Sequence, residues 1–361
     1  MEIQSELNLQ FRHNTKTLAA LLLALAQAKN EATKLYILPH HRADGDAIGS
    51  AFGLNIACQK LGLKSEVLLA EPVPPMYAYL SLPDYAVLDT EAKAAQFVDK
   101  LTQEQAYVCL IDNSAPETRL GVRFALWQAC QEERRLIIDH HVSDIPAGER
   151  YDIAANEIAC SGMVAELIIL LEKQSGQSLL DANLANCLMT GIITDSGQLS
   201  YAATSAQTYL LMAILKQHGA DQELINRVHY HTMSVAKLKM IALAFSQTEF
   251  SYDNTCLVSH LTAEQIQQAQ AGEVDLDGIS SMLREVRSVK VAVLLRSTLK
   301  GNVLGSIRST EAINCQNIAK QLGGGGHERA SGFTIYNVTL EEAKAHFLSA
   351  CKTELESEDA E

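Results

Sequence analysis

Six side chains of this 361-residue chain have the types and spacing needed to hold two hard divalent cations. They fall in four short clusters: HHRADGDAIGS (residues 40–50), IDNS (111–114), IDHH (138–141) and GIITDSG (191–197). The clusters supply His40, Asp44, Asp46, Asp112, His140 and Asp195. Asp44 and Asp46, with Gly45 between them, can point from one tight loop at two neighbouring ions, with Gly45 and Gly49 letting the backbone turn there. Asp112 is placed to bridge both ions, and Asp195 completes the second ion's shell. Four carboxylates and two imidazoles without a thiolate favour Mn²⁺ over a structural zinc site, with Mg²⁺, Co²⁺ and Fe²⁺ also compatible. Four carboxylates offset two divalent ions, so a water held between them should ionise near neutrality and attack phosphorus in line. Sites of this kind cleave phosphate esters.

Taken singly, each residue has a plain structural explanation. Asp44 or Asp46 could cap a helix, His40 or His141 could be a satisfied interior histidine, and Asp195 could belong to a turn. The conjunction argues otherwise, because three of the clusters end apolar runs. KLYILPH, YVCLIDNS and RRLIIDHH read as buried strands, with a helix over 46–61 after the first and a helical stretch around 120–129 between the other two. Strands alternating with helices predict βαβ units and a mostly parallel sheet, in which ligands gather beyond the carboxyl ends of the strands. Helical periodicity from Asp181 onward aims Asp195 at the same rim.

Beyond residue 205 comes a helix-rich stretch, and beyond 251 the pattern changes. VKVAVLLRS and NVLGSIRS read as neighbouring strands, INCQNIAKQL as a short helix, SGFTIYN as a strand, and LEEAKAHFLSACKTEL as a closing helix. The expected organisation is a metal-binding domain at 1–228, a helical linker at 229–250, a smaller mixed α/β domain at 251–355, and an acidic tail at 356–361. The net charge of −14 counts against a long nucleic-acid track. It is uneven, however: residues 284–329 hold eight Lys/Arg against three Glu, a local basic pocket suited to a short anionic ligand. Eight scattered cysteines without a CxxC pair suit buried thiols in a reducing cytoplasm. TLAALLLALAQA (17–28) is too short to span a bilayer and its flank is not cleanly basic, so it reads as an amphipathic helix.

The four clusters resemble the motifs of the DHH phosphoesterase superfamily, named for the Asp-His-His found here as Asp139, His140 and His141. By that resemblance His40, Asp44 and Asp46 are ligands from the first motif, Asp112 is the bridging aspartate, and His140 and Asp195 are the ligands of the third and fourth. His141 falls where the family places a phosphate-contacting histidine, and Asp139 where a carboxylate orients the metal-bound imidazole. GGGGHERASG (323–332) resembles the signature of the DHH-associated C-terminal domain. There the amides of Gly323, Gly324, Gly325 and Gly326 would form a nest for an anion, with His327 as an added donor. Arg308 matches an arginine directed at substrate phosphate or base. The chain departs from the usual first motif at Ala43, where a proline is common, and at His41, which doubles the histidine; either His40 or His41 could face the metal.

Two domains without further modules most resemble the nanoRNase/pAp phosphatase subfamily. The resemblance implies an α/β enzyme with its active site in an interdomain cleft, cleaving short oligoribonucleotides to mononucleotides and 3′-phosphoadenosine 5′-phosphate (pAp) to AMP. Linear pApA and cyclic di-AMP are alternative substrates, and a catalytically silent nucleotide sensor is the alternative from another class. A RecJ-like exonuclease would need a longer basic track or an added module. No membrane partner is expected, and a homodimer is one option the sequence leaves open.

Overall fold

The computed structural model describes residues 9–28, 34–104 and 106–358. The chain divides into two compact units, with the boundary between His231 and Thr232. The first unit carries helix α1 (His13–Gln27), β1 (Lys34–Pro39), α2 (Gly45–Lys60), β2 (Lys64–Leu69), β3 (Tyr85–Val87), α3 (Glu91–Glu104) and β4 (Tyr107–Ile111). It continues through α4 (Pro116–Arg119), α5 (Phe124–Ala129), β5 (Arg135–Asp139), β6 (Tyr151–Ile153), α6 (Cys160–Ser175), α7 (Ala182–Asp195), α8 (Ala206–Gln217) and α9 (Gln222–Tyr230).

Its six strands pair in the order β3-β2-β1-β4-β5-β6, all parallel. Alternate residues explain why both faces are covered. Leu35, Ile37, Cys109, Ile111, Leu136 and Ile138 pack with the apolar residues of α1, α2, α6 and α7. Tyr36, Leu38, Val108, Leu110 and Ile137 pack on the other side with α3 and α5. Strand order reverses between β1 and β4, and at such a switch point the loops leaving the strand ends diverge and open a crevice. The β1, β4 and β5 runs read from the sequence all end there.

The apolar segment at 17–28 lies within α1, whose Leu18, Ala19 and Leu22 are buried in the core. No helix among the described residues is long and apolar enough to cross a membrane. Arg12, just before α1, bonds Asp152 and Glu157 and pairs with Glu166 at 3.0 Å, which fastens the helix to the outer end of the sheet.

The second unit consists of α10 (Val235–Ser246), β7 (Glu249–Ser251), β8 (Cys256–Leu261), α11 (Ala263–Gln268), α12 (Glu273–Leu276), α13 (Ile279–Arg284) and β9 (Val291–Ser297). After these come β10 (Val303–Ser309), α14 (Cys315–Gln321), β11 (Gly325–His327), β12 (Ala330–Ile335) and α15 (Leu340–Glu358). Its mixed sheet runs β11-β12-β10-β9-β8-β7, with only β8 and β9 parallel. The stretch 229–250, expected as a connector, holds α10, whose Met240 and Ala244 are buried in this unit's core. The tail expected from 356 begins inside α15, and its remainder lies outside the described residues. All eight cysteines are buried and free.

Candidate metal and phosphate site

The first cluster begins where β1 ends. His40 is 6% exposed, and its Nδ1 lies 2.6 Å from the carbonyl oxygen of His41. A carbonyl only accepts, so Nδ1 carries the proton and Nε2 presents a lone pair. That lone pair faces Asp112 Oδ2 at 3.4 Å and Asp44 Oδ1 at 3.9 Å. His41 turns outward instead, with its Nδ1 2.9 Å from the Arg119 carbonyl. His140 repeats the arrangement on the far side: Nδ1 donates to the Glu157 carbonyl at 3.2 Å, leaving Nε2 3.1 Å from Asp195 Oδ2, 3.4 Å from Asp112 Oδ1 and 3.7 Å from Asp46 Oδ2.

Asp112 therefore turns one oxygen toward each imidazole. It follows β4 directly and sits in the left-handed region at φ 54°, a conformation that aspartate tolerates better than most residues. His40 Nε2 and Asp112 Oδ1 are buried without a hydrogen-bond partner. Lone pairs aimed at carboxylates in this way repel unless a proton or a cation lies between them. The titration behaviour expresses the same demand. Burial would lower the His140 imidazolium, yet Asp112 and Asp195 outweigh it and push it up to about 11; His40 is raised for the same reason. Asp46 is driven well above the usual carboxylate range by burial and by Asp112 and Asp195. Burial also opposes ionisation of Asp112, but its imidazole neighbours prevail and hold it to about 2. The donor set fits two hard divalent ions. Among the described residues three groups bring ligand atoms together: His40, Asp44 and Asp112; Asp46, His140 and Asp195; and, sharing two of these residues, Asp112, His140 and His141.

Two glycines of the first cluster serve a different purpose from the one expected. Neither Gly45 nor Gly49 has a positive φ. A Cβ on Gly45 would land on the Thr194 side chain, and one on Gly49 on the Cys187 carbonyl, both in α7. Gly49 lets α2 meet the α7 backbone and Gly45 leaves room for the Thr194 side chain, which brings Asp195 up to the Asp44–Asp46 loop. Asp44 also caps α2, accepting from the Asp46 and Ala47 amides at 3.1 Å. Asp46 in turn accepts from the Cys160 and Ser161 amides, at 2.6 and 2.8 Å, at the start of α6.

Asp139 does not orient the imidazole of His140, as the resemblance implied; it binds His141. Asp139 Oδ1 lies 2.8 Å from His141 Nδ1, and the carbonyl of Glu157 takes the place behind His140. His141 Nε2 faces Arg119 Nη1 at 3.4 Å. A guanidinium only donates, so neutral His141 carries its proton on Nδ1, toward Asp139. Arg119 was not among the expected site residues. A single arginine in PETRLG gives no local signal of its place beside His141.

In the second unit, Arg308 lies on β10 with Nη1 2.9 Å from the Ile307 carbonyl, and His327 is exposed on β11, opposite Ala330. The glycine run is only partly a nest. The Gly323 and Gly324 amides are spent closing α14, on the Lys320 and Ala319 carbonyls, while Gly325 and Gly326 lie in the edge strand β11. An edge strand keeps one row of backbone donors for a ligand.

Models of two families match: "DHH family, N-terminal domain" over residues 34–192 and "DHHA1 domain" over 253–357. The bifunctional oligoribonuclease and PAP phosphatase NrnA of Thermus thermophilus is 31% identical over 89% of this chain and 90% of its own length. The chain belongs to the DHH phosphoesterase family. As a member it is a hydrolase of phosphate ester bonds. The NrnA of Bacillus subtilis is 25% identical over 82% of this chain and 88% of that protein. A crystal structure of an exopolyphosphatase-related protein from Bacteroides fragilis shares the fold, with a TM-score of 0.82 and 24% identity over 96% of this chain and 98% of that one. The six expected DHH ligands converge on the β1, β4 and β5 ends with no outlier, whereas Arg308, the glycines and His327 belong to the DHHA1 unit.

Proposed function

We propose that the chain hydrolyses short oligoribonucleotides to mononucleotides and pAp to AMP, with two divalent cations as cofactors. The observation that carries the reading is Asp112, whose two oxygens each face a separate triad-completing imidazole. The names of the two NrnA relatives, each aligned over more than four-fifths of both chains, support the substrate class. Mn²⁺ is the favoured ion for the oxygen-rich set, and two such ions, when bound, supply Lewis acidity toward water and the phosphoryl oxygens.

The protein's own residues do the rest. His40, Asp44, Asp46, Asp112, His140 and Asp195 are the proposed ligands, and the His41 and Glu157 carbonyls fix which nitrogen each histidine offers. Arg119 presents donors to a phosphoryl oxygen as its charge grows, and His141, braced by Asp139, steadies the Arg119 guanidinium beside it. Water adds to phosphorus, the bond to the leaving ribose oxygen breaks, and that oxygen takes up a proton. Arg308, His327 and the β11 edge bind the rest of the nucleotide. The charge pattern, acidic overall with a basic stretch at 284–329, favours short substrates over long ones.

Arg119→Gln is expected to lower kcat/KM on pApA about a hundredfold, the usual loss for one charge-stabilising donor, without changing bound metal. Steady-state kinetics with metal analysis on the same sample checks this. The reading as a whole is tested by Mn²⁺-dependent turnover on 5′-phosphorylated RNAs of two to ten nucleotides, pAp, cyclic di-AMP and pyrophosphate. Fastest mononucleotide release from the shortest RNAs, with pAp also cleaved, is the expected result. Fast cleavage of cyclic di-AMP alone would move the enzyme to signalling, and nucleotide binding without turnover at any Mn²⁺ concentration would make it a sensor.

A further inference from the structure

Arg12 lies outside every motif of the metal site, yet each nitrogen of its guanidinium has an acidic partner. Nε and Nη2 donate to the two oxygens of Asp152 at 3.1 and 3.4 Å, and Nη1 pairs with Glu157 at 2.8 Å and with Glu166 at 3.0 Å. Thr15 also donates to Asp152, at 2.6 Å, and Asn14 to the Tyr151 carbonyl at 3.3 Å. The start of α1 thus grips β6, the loop after it and the second turn of α6.

Those grips bracket residues 152–166, and the backbone of that stretch sets two of the proposed ligands. The Glu157 carbonyl accepts from His140 Nδ1 at 3.2 Å, and the Cys160 and Ser161 amides donate to Asp46 at 2.6 and 2.8 Å. Both ligands belong to the group of Asp46, His140 and Asp195. The group of His40, Asp44 and Asp112 is held by other means: the His41 carbonyl fixes His40, and the Asp46 and Ala47 amides fix Asp44. A ligand stays aimed only while the group behind it stays in place. Here charge keeps it in place. Asp152 is 3% exposed and Glu166 is fully buried, so without the guanidinium these carboxylates and Glu157 lose their shared cation and repel one another. Gln207 adds a bond to Glu166, but it carries no charge.

We propose that Arg12 is a positioning residue for one of the two ions, the one held by Asp46, His140 and Asp195. It fastens residues 152–166 so that His140 and Asp46 stay aimed, and it leaves the His40 group untouched. The inference rests on the two-cation reading above and ties the binding of a single ion to the first turn of α1. The fork geometry matters as well as the charge, because a point charge cannot serve three carboxylates in different directions.

The test titrates the full-length protein with Mn²⁺ and reads both dissociation constants by isothermal calorimetry. Arg12→Gln is expected to raise one of them about tenfold, the lower end of the loss when support behind a ligand is removed, and to leave the other unchanged. In a His40→Ala background the remaining ion belongs to the Asp46 group and should weaken by the same factor. In a His140→Ala background the remaining ion belongs to the His40 group and should not change. Arg12→Lys, with the charge but not the fork, should recover part of the affinity. Leu18→Ala loosens the same helix from the core, so it should lower the melting temperature and leave both ions bound as in wild type. Equal weakening of both ions, no weakening, or a Leu18→Ala variant that reproduces the loss would overturn the positioning role. Should Arg12→Gln not fold, Glu157→Ala cuts only the tie beside the His140 carbonyl; a smaller loss at the same ion is expected, and no loss would sink the proposal. A wild type that binds a single ion would count instead against the two-cation reading.

Discussion

Asp112→Asn is expected to fold as wild type and to lose at least about a thousandfold in kcat, because several kcal/mol of charge stabilisation depend on the proposed bridge. Asparagine keeps the size of the side chain and accepts the φ of 54° that this position imposes, so the backbone has no reason to move. What changes is charge. The substitution removes an anion that faces His40 at 3.4 Å on one side and His140 at 3.4 Å on the other, and either triad alone keeps too few oxygens to hold a hard cation tightly. Circular dichroism should overlay with wild type while bound Mn²⁺ and turnover fall together. A variant that kept full Mn²⁺-dependent turnover would show that Asp112 bridges nothing.

Gly191→Ala is expected to cost about 1–3 kcal/mol of stability, the range for overpacking a filled core, and to abolish most activity as well. The added methyl would land on the Ser161 side chain and 2.6 Å from Asp46 Oδ1. Ser161 cannot simply rotate away, because its own Cβ is also 2.6 Å from the new atom and its amide holds the Asp46 carboxylate. Relief requires α7 to move off α2 and α6, which carries Asp46 and Asp195 apart. Thermal unfolding and metal content measure the two consequences. A variant with unchanged melting temperature and activity would mean that α2, α6 and α7 do not pack as tightly as described.

The site was legible because three strands run straight into it: short apolar runs ending at His40, at Asp112 and at Asp139 next to His140 signal both the strand and its functional end. The helix α7 was legible from its periodicity from Asp181 onward, and the structure adds that Asp181 caps it. The helix α6 was not. It is buried along most of its length, so it lacks an amphipathic stripe, and Ala159 caps it without a side-chain bond. Yet its first amides hold Asp46. The roles of Gly45 and Gly49 were hidden for a related reason, since the α7 atoms they must approach lie some 140 residues away and nothing local distinguishes a packing glycine from a turning one. The same distance separates Arg12 from its acidic partners. The three-residue strands β3 and β6 are too short to show a period. Of the glycine run, the sequence suggested an anion nest, but helix closure takes its first two amides.

The most direct test is the metal stoichiometry of the protein after dialysis against Mn²⁺, read by elemental analysis together with the spin coupling seen by electron paramagnetic resonance. Two ions per chain, magnetically coupled through a shared ligand and both lost in Asp112→Asn, is the expected result. One ion, or two uncoupled ions that survive Asp112→Asn, would contradict a bridged pair at the ends of β1, β4 and β5.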